Sequence, residues 1–259
     1  MKTSFSQNRE DIVLWRALNG IVGGTYIEVG ANHPKHASIT RSFYDAGWSG
    51  LLVEPSPEWH DLIRTERPRD AFAGLAASEK KGTTKFTQVE GTGYSSSKID
   101  PLDSKFDRSL RVVELEVQTD RLDDIVSEFL PGTNEVQFMV IDVEGAESEV
   151  LKGFSFASVR PWILVVESTL PDSTVQNHGE WEHLLLDVNY VFCLFDGLNR
   201  FYVAAEHAEL APLLSYPACV LDKGFLMADT VYLESRLAES ESRLAESERS
   251  KRRIFYKFF

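Results

Sequence analysis

The chain has only two cysteines, Cys193 and Cys219, in 259 residues. Two thiols cannot build a disulfide scaffold and show no metal-ligand spacing. Each sits among apolar neighbours, which predicts two buried core thiols. Cations are also scarce: 27 Lys and Arg stand against 40 Asp and Glu, a formal net charge of −13. That balance argues against a nucleic-acid partner, because such affinity rests on cancelling phosphate charge. No apolar run reaches the ~18 residues of a bilayer span, and Met1-Lys2-Thr3-Ser4-Phe5-Ser6-Gln7 lacks the apolar stretch of a secretory leader. The expectation is a cytoplasmic protein.

A G-x-G-x-x-G fingerprint is missing as well, yet its neighbourhood is present. Thr25-Tyr26-Ile27-Glu28-Val29 leads into Gly30-Ala31-Asn32, and Leu51-Leu52-Val53 ends in Glu54-Pro55. From Gly30 to Glu54 is the span of one strand–helix–strand unit. In such a unit the first strand ends in a glycine turn, and an acid ending the second grips ribose hydroxyls. A single glycine followed by Ala31, Asn32, His33 and Pro34 is not shaped for a pyrophosphate. The pattern points to a nucleoside cofactor without phosphates, of which S-adenosylmethionine is the common one.

Around this unit, strands and helices alternate. Helices are predicted over 9–19, Ser38–Ala46, Pro57–Glu66, from a Thr119/Asp120 cap to Phe129, up to Lys152, and near 179–187. Strands are predicted over Thr25–Val29, Leu51–Glu54, Ala71–Ala77, Arg111–Gln118, Val136–Ile141 and Trp162–Val166. The hairpin Tyr190–Phe195/Arg200–Val203 closes the series. Ser78 to about Leu110, rich in Gly, Ser, Thr and Lys, reads as a loop, with Tyr94 and Ser95–Ser97 placed to close over an acceptor. The fold expected is α/β: a doubly wound, mainly parallel sheet with an antiparallel terminal hairpin.

The domain is drawn at 1–228 and a helical tail at 229–259. In the tail Glu234-Ser-Arg-Leu-Ala-Glu-Ser240 repeats as Glu241-Ser-Arg-Leu-Ala-Glu-Ser247, which places Leu237 and Leu244 on one seam of a heptad. Lys251-Arg252-Arg253-Ile254-Phe255-Tyr256-Lys257-Phe258-Phe259 then combines cations with exposed apolar side chains. Such a tail fits peripheral contact with an anionic membrane, or a homodimer through the leucine seam.

Four stretches, in order and at the right spacing, carry a resemblance: Ser6-Gln7-Asn8-Arg9-Glu10-Asp11, Ile27-Glu28-Val29-Gly30-Ala31-Asn32, Gly47-Trp48-Ser49-Gly50-Leu51-Leu52-Val53-Glu54-Pro55-Ser56-Pro57 and Ile141-Asp142-Val143-Glu144-Gly145-Ala146-Glu147. With Leu151-Lys152-Gly153-Phe154 and Val165-Val166-Glu167, they resemble the FkbM family of S-adenosylmethionine-dependent methyltransferases over roughly residues 5–204. Glu28 departs from the aspartate usual there, a change that keeps the carboxylate. The resemblance implies a class I methyltransferase fold, Rossmann-like, and O-methylation of a saccharide or polyketide-like hydroxyl. Asp196-Gly197-Leu198-Asn199-Arg200-Phe201-Tyr202-Val203 resembles relatives encoded with bacterial glycan-assembly enzymes, which tilts the acceptor toward a saccharide, lipid-linked or small.

In open α/β sheets ligands sit at the carboxyl ends of the strands. Gly30, Ala31 and Asn32 are expected around the cofactor's methionine, Glu54 and Pro55 at its ribose, and Ala77 and Ser78 at its adenine. Gln7 and Asp11 would fold over the amino acid end; Glu28, Ser38 and Val143 complete the cofactor set. Asp142, Glu144 and His36 are the candidate catalytic residues, Asp142 contacting the ammonium or acceptor hydroxyl and Glu144 or an imidazole (His36, His33) acting as base. Asp142 with Glu167 is the alternative arrangement, a pair of oxygen ligands for Mg2+. Two other functions share part of this pattern: a nicotinamide-dependent oxidoreductase, which lacks its further glycines here, and a non-catalytic methyltransferase-like module.

Overall fold

The structure, a computed structural model, describes residues 1–89, 95–98, 111–171 and 173–230. Its strands are β1 (Lys2–Ser4), β2 (Thr25–Val29), β3 (Ser49–Val53), β4 (Ala71–Ala73), β5 (Ala76–Ser78), β6 (Gly82–Val89), β7 (Ser95–Ser96), β8 (Val112–Arg121), β9 (Phe138–Ile141), β10 (Ile163–Glu167), β11 (Tyr190–Phe195), β12 (Asn199–Ala204) and β13 (Phe225–Met227). The α-helices are α1 (Glu10–Leu18), α2 (Arg41–Asp45), α3 (Pro57–Glu66), α4 (Leu122–Phe129), α5 (Glu147–Lys152), α6 (Glu182–Leu186) and α7 (Ala211–Leu214).

Phe138-Met139-Val140-Ile141 and Ile163-Leu164-Val165-Val166 are apolar at every position, and every residue of β9 and β10 is buried. Such runs belong in the middle of a sheet covered on both faces. They form the centre of a seven-stranded sheet ordered β11-β12-β10-β9-β2-β3-β4. The pairs from β10 to β4 are parallel, and β12 runs antiparallel to both β10 and β11, so the sheet is mixed.

Alternate residues of each strand point to opposite faces, and each face has its own core. On one, Val29, Leu51, Met139 and Val166 meet Leu122, Ile125 and Val126 of α4, Val150 of α5 and Leu185 of α6. On the other, Leu52, Val140 and Val165 meet Leu14 and Leu18 of α1, Phe43 of α2, Ile63 of α3 and Leu214 of α7.

Several expectations are corrected. Ala71–Ala77 is two strands in different sheets: β4 pairs with β3, and β5 with β8. Inside the expected loop, Gly82–Val89 forms β6, antiparallel to β8; its Thr and Val residues favour a strand where the polar composition suggested a loop. Thr119 and Asp120 belong to β8, and Arg121 sits at the head of α4 with no side-chain cap. β1 pairs in parallel with β13, from the far end of the described chain. Cys219 is exposed and Cys193 only half-buried, because β11 is an edge strand and Cys219 lies in a loop. Tyr94 and the tail from residue 231 lie outside the described residues. Among those described, no helix is long and apolar enough to cross a membrane.

Candidate active site

A cleft of about 380 Å³ opens beyond the carboxyl ends of β2, β3 and β9, with β5, β6 and β7 along its other side. Gln7, Glu28, Gly30, Ala31, Asn32, His36, Ser38, Glu54, Pro55, Ala77, Ser78, Asp142, Val143 and Glu144 all line it. Residues from five separate segments are thus brought to one place. Two expected residues are not on its wall, Asp11 and Glu167.

The floor depends on backbone crowding. The amides of Gly30 and Ala31 both donate to the Val53 carbonyl, and the Asp142 amide donates to that of Val29, so the ends of β2, β3 and β9 are tied together. Gly30 has φ +84°, and a Cβ there would overlap the Asp142 carbonyl oxygen. Its small size serves contact between two strand ends, where the sequence suggested approach to a ligand.

Glu54 is 4% exposed and already oriented. Its Oε2 accepts from the Asn32 amide and its Oε1 from the Ser56 amide, each at 2.7 Å. Each oxygen keeps a lone pair for a further donor. Burial, with smaller contributions from the charges of Glu28 and Asp142, pushes its pKa up to about 7 against those two amides. Asn32 reaches this position in the left-handed region, φ +47°, which asparagine tolerates better than most residues.

Glu28 is committed largely to the protein. Its carboxylate accepts from the Thr40 hydroxyl and the Ile39 amide. The buried guanidinium of Arg67 donates to Thr40 Oγ1, Tyr26 Oη, Asp70 and the Pro34 carbonyl. This network fixes the segment 34–40 that carries His36 and Ser38. Burial raises the Glu28 pKa, and nearby Arg67 opposes the rise.

Asp11 is corrected from cofactor contact to structural anchor. It is buried, and its carboxylate accepts from Ser4 Oγ at 2.7 Å, Ser6 Oγ at 2.8 Å and the Phe5 amide at 2.9 Å. Those donors lie in the chain that precedes α1, so the side chain turns inward, away from the cleft. His33 Nδ1 accepts from the amides of Lys35 and His36, which leaves Nε2 carrying the proton of the neutral ring. His36 is exposed at the rim.

At the end of β9 the chain turns through Glu144, φ +54°. Glu147 Oε1 accepts from the Gly145 amide at 2.9 Å and holds this turn, while Ser96 Oγ donates to the Val143 carbonyl from the facing strand. Oxygens of Asp142, Glu144 and Glu167 all lie within 4.8 Å of one another. Burial raises the pKa of both Asp142 and Glu167, and the Asp142, Glu144 and Glu147 charges add to the rise at Glu167. Sequence reasoning missed Trp59, Thr84, Phe86 and Thr119 on the cleft wall. The alternation through β6 was the available signal for Thr84 and Phe86; Trp59 reads from sequence only as an ordinary helix residue.

The geometry is that of an acidic cleft at the strand ends of an α/β sheet, with a fixed carboxylate after the second strand of its first unit. Residues 28–192 match the Methyltransferase FkbM domain family, well over half of the chain. The chain belongs to this methyltransferase family. Methyltransferase sdnD of Sordaria araneosa is 28% identical over 129 aligned residues, which cover 40% of this chain and 50% of that protein. The crystal structure of methyltransferase FkbM from Methylobacillus flagellatus KT matches 70% of this chain and 43% of that one, at 14% identity and a TM-score of 0.39. The chain spans about half the length of the curated relative it matches.

Proposed function

We propose that the cleft binds S-adenosylmethionine and that the protein transfers its methyl group to a hydroxyl of a saccharide or polyketide-like acceptor. The observation that carries the reading is Glu54, a cleft-lining residue whose two oxygens are each held by one backbone amide and each keep a lone pair for another donor. Two vicinal ribose hydroxyls are the complementary donors. The charge of the wall supports the same cofactor. Glu28, Glu54, Asp142, Glu144 and Glu149 line the cleft, and no Lys or Arg is among its described lining residues. A pyrophosphate is repelled there, whereas a sulfonium and an ammonium are attracted.

In the reaction the acceptor oxygen attacks the methyl carbon in line with the sulfur. The C–O bond forms as the C–S bond breaks, the sulfur leaves with the electron pair as a neutral thioether, and the hydroxyl proton passes to a base. The cleft's part is chiefly to hold three atoms collinear. Asp142 and Glu144 at the end of β9, or His36 on the rim, supply the base. An acceptor made by bacterial glycan-assembly enzymes agrees with the likeness of Asp196–Val203 to their neighbours, and a cytoplasmic setting agrees with a nucleotide- or lipid-linked sugar.

Mass spectrometry of the denatured protein for co-purified cofactor, calorimetry with S-adenosylmethionine, and labelled methyl transfer to nucleotide- and lipid-linked sugars test the proposal together. Saturable cofactor binding with transfer to an oxygen is expected, and Asp142→Asn or Glu144→Gln should cut turnover ~10²–10⁴-fold with little change in cofactor affinity if either is the base. A folded protein that binds no S-adenosylmethionine would overturn it.

A further inference from the structure

S-adenosylmethionine carries a carboxylate as well as an ammonium and a sulfonium, and a wall of carboxylates repels that group. The charges of Glu28 and Asp142 both bear on Glu54, so these acids of the floor lie close together. Among the described lining residues the basic side chains are His33 and His36, with exposed Lys35 between them in sequence. The segment that carries them is fixed. Arg67 Nη1 donates to the Pro34 carbonyl at 3.1 Å, and Ala37 bridges to Ser6, which sets Gln7 of the cleft wall alongside. The His33 ring packs against His36 and Trp59, its centroid 4.4 Å and 5.2 Å from theirs. Its Nδ1 accepts from the amides of Lys35 at 3.1 Å and His36 at 3.0 Å, so the proton sits on Nε2. Burial, and after it the charge of His36, lowers the His33 pKa. Protonating Nδ1 would also break both amide bonds, so the ring is a neutral donor and not a base. Of the wall hydroxyls, those of Ser96 and Thr119 already donate to the Val143 and Lys80 carbonyls.

We propose that His33 donates from Nε2 to the α-carboxylate of S-adenosylmethionine and so sets which way the amino acid end lies in the cleft. The inference rests on the cofactor reading above and deepens it. The ring lines the cleft, and with Nδ1 turned back on its own loop, Nε2–H is the polar group it can offer there. The carboxylate then lies toward the His33–His36 segment, and the ammonium and sulfonium toward the acids of the floor. Because the donor is neutral, it holds the carboxylate without cancelling the acidic charge that attracts the sulfonium. One end of the cofactor fixed in this way restricts the line along which the methyl carbon can be approached. His33 is thereby a binding residue and leaves the candidate bases as Asp142, Glu144 and His36.

Calorimetry on the full chain compares S-adenosylmethionine with its decarboxylated analogue, which keeps the sulfonium and the amine and lacks the carboxylate. The wild-type chain should bind the first more tightly. His33→Asn is the informative variant: an asparagine side-chain oxygen accepts backbone amides of the residues that follow it, as Nδ1 does here, and so keeps the turn, but the side chain is too short to replace Nε2–H. Its affinity for S-adenosylmethionine should fall ~10-fold or more, the loss of one hydrogen bond to a charged group, with affinity for the analogue unchanged. Circular dichroism checks that the variant folds. Proton–nitrogen correlation spectra of the wild-type imidazoles give a second measurement that needs no variant. They should show the Nε2–H tautomer for His33, with Nε2 shifting on addition of S-adenosylmethionine and not of the analogue. Equal losses for the two ligands, unchanged S-adenosylmethionine affinity in the folded variant, or an Nδ1–H tautomer overturns the proposal. Any of these beside normal wild-type binding of S-adenosylmethionine removes only the role of His33, whereas a wild-type chain that binds neither ligand removes the cofactor reading as well.

Discussion

Gly30 and Asp142 lie so close that a side chain on the first would occupy the carbonyl oxygen of the second. The turn after β2 and the turn after β9 therefore form one floor, and the Gly30–Asn32 segment and the acidic cluster cannot move independently. Gly30→Ala must both adopt φ +84° and displace Asp142. Left-handed backbone at a non-glycine residue costs ~1–3 kcal/mol, and overpacking a similar amount. A loss of about 3 kcal/mol is expected in urea denaturation, with cofactor affinity falling alongside. Wild-type stability in this variant would mean that the two turns are not coupled.

Glu54 offers a second test. Glu54→Ala removes the proposed acceptor of two ribose hydroxyls and frees the Asn32 and Ser56 amides. At ~1.5–3 kcal/mol for each charge-assisted bond, less what water restores, S-adenosylmethionine affinity should fall at least about 10-fold. Because only the ionised carboxylate accepts from both hydroxyls and its pKa is pushed up to about 7, wild-type affinity should rise as pH goes from 6 to 8. Calorimetry across that range checks both statements; a flat profile and an unchanged Glu54→Ala affinity would place the ribose elsewhere.

Fold stability should move the opposite way. Glu10 is pushed up to about 8 by burial first and then by the Asp196 charge, and Glu54 and Glu147 to about 7, chiefly by burial. Carboxyl groups with raised folded-state pKa bind their protons more tightly folded than unfolded. Their stabilising contribution is complete below the ordinary carboxylate range near 4.5 and is lost as pH rises through the folded values. The cofactor-free protein should therefore lose stability between about pH 5 and pH 8. Glu10→Gln should flatten that slope by up to about 1.4 kcal/mol per pH unit. Denaturant midpoints at several pH values decide, and a stability that rises across this window would contradict the assignment.

The proposal for the tail rests on residues outside those described. Lys251, Arg252, Arg253 and Lys257 near an anionic surface are worth ~1 kcal/mol each, screened by salt. Full-length protein should co-sediment with anionic vesicles at low salt, and a truncation at Ser250 should not. Equal partitioning of the two rules out membrane contact, and a smaller solution mass for the truncated form favours the homodimer through Leu237 and Leu244.

Much of this molecule was legible in one dimension. Thr25–Val29, Pro57–Glu66 and Tyr190–Phe195 fall where their apolar runs and flanking turn residues put them, because local periodicity and punctuation fix such elements before any tertiary contact. The cleft residues at strand ends were legible for the same reason, since the carboxyl ends of parallel strands converge. Pairing between distant segments was not legible. β1 joins β13 across most of the described chain, and β6 joins β8 across residues that read as loop. No local pattern encodes such partners. The side-chain directions of Asp11 and Glu167 likewise depend on what surrounds them. Asp11 turned inward to three donors of the preceding segment. Glu167 met Asp142 and Glu144 because β9 and β10 lie side by side and the turn after β9 doubles back. The sequence by itself determined most of the residues that line the cleft and the strands that carry them; only the tertiary structure decided which carboxylates share one point in space, because that depends on strand order in the sheet.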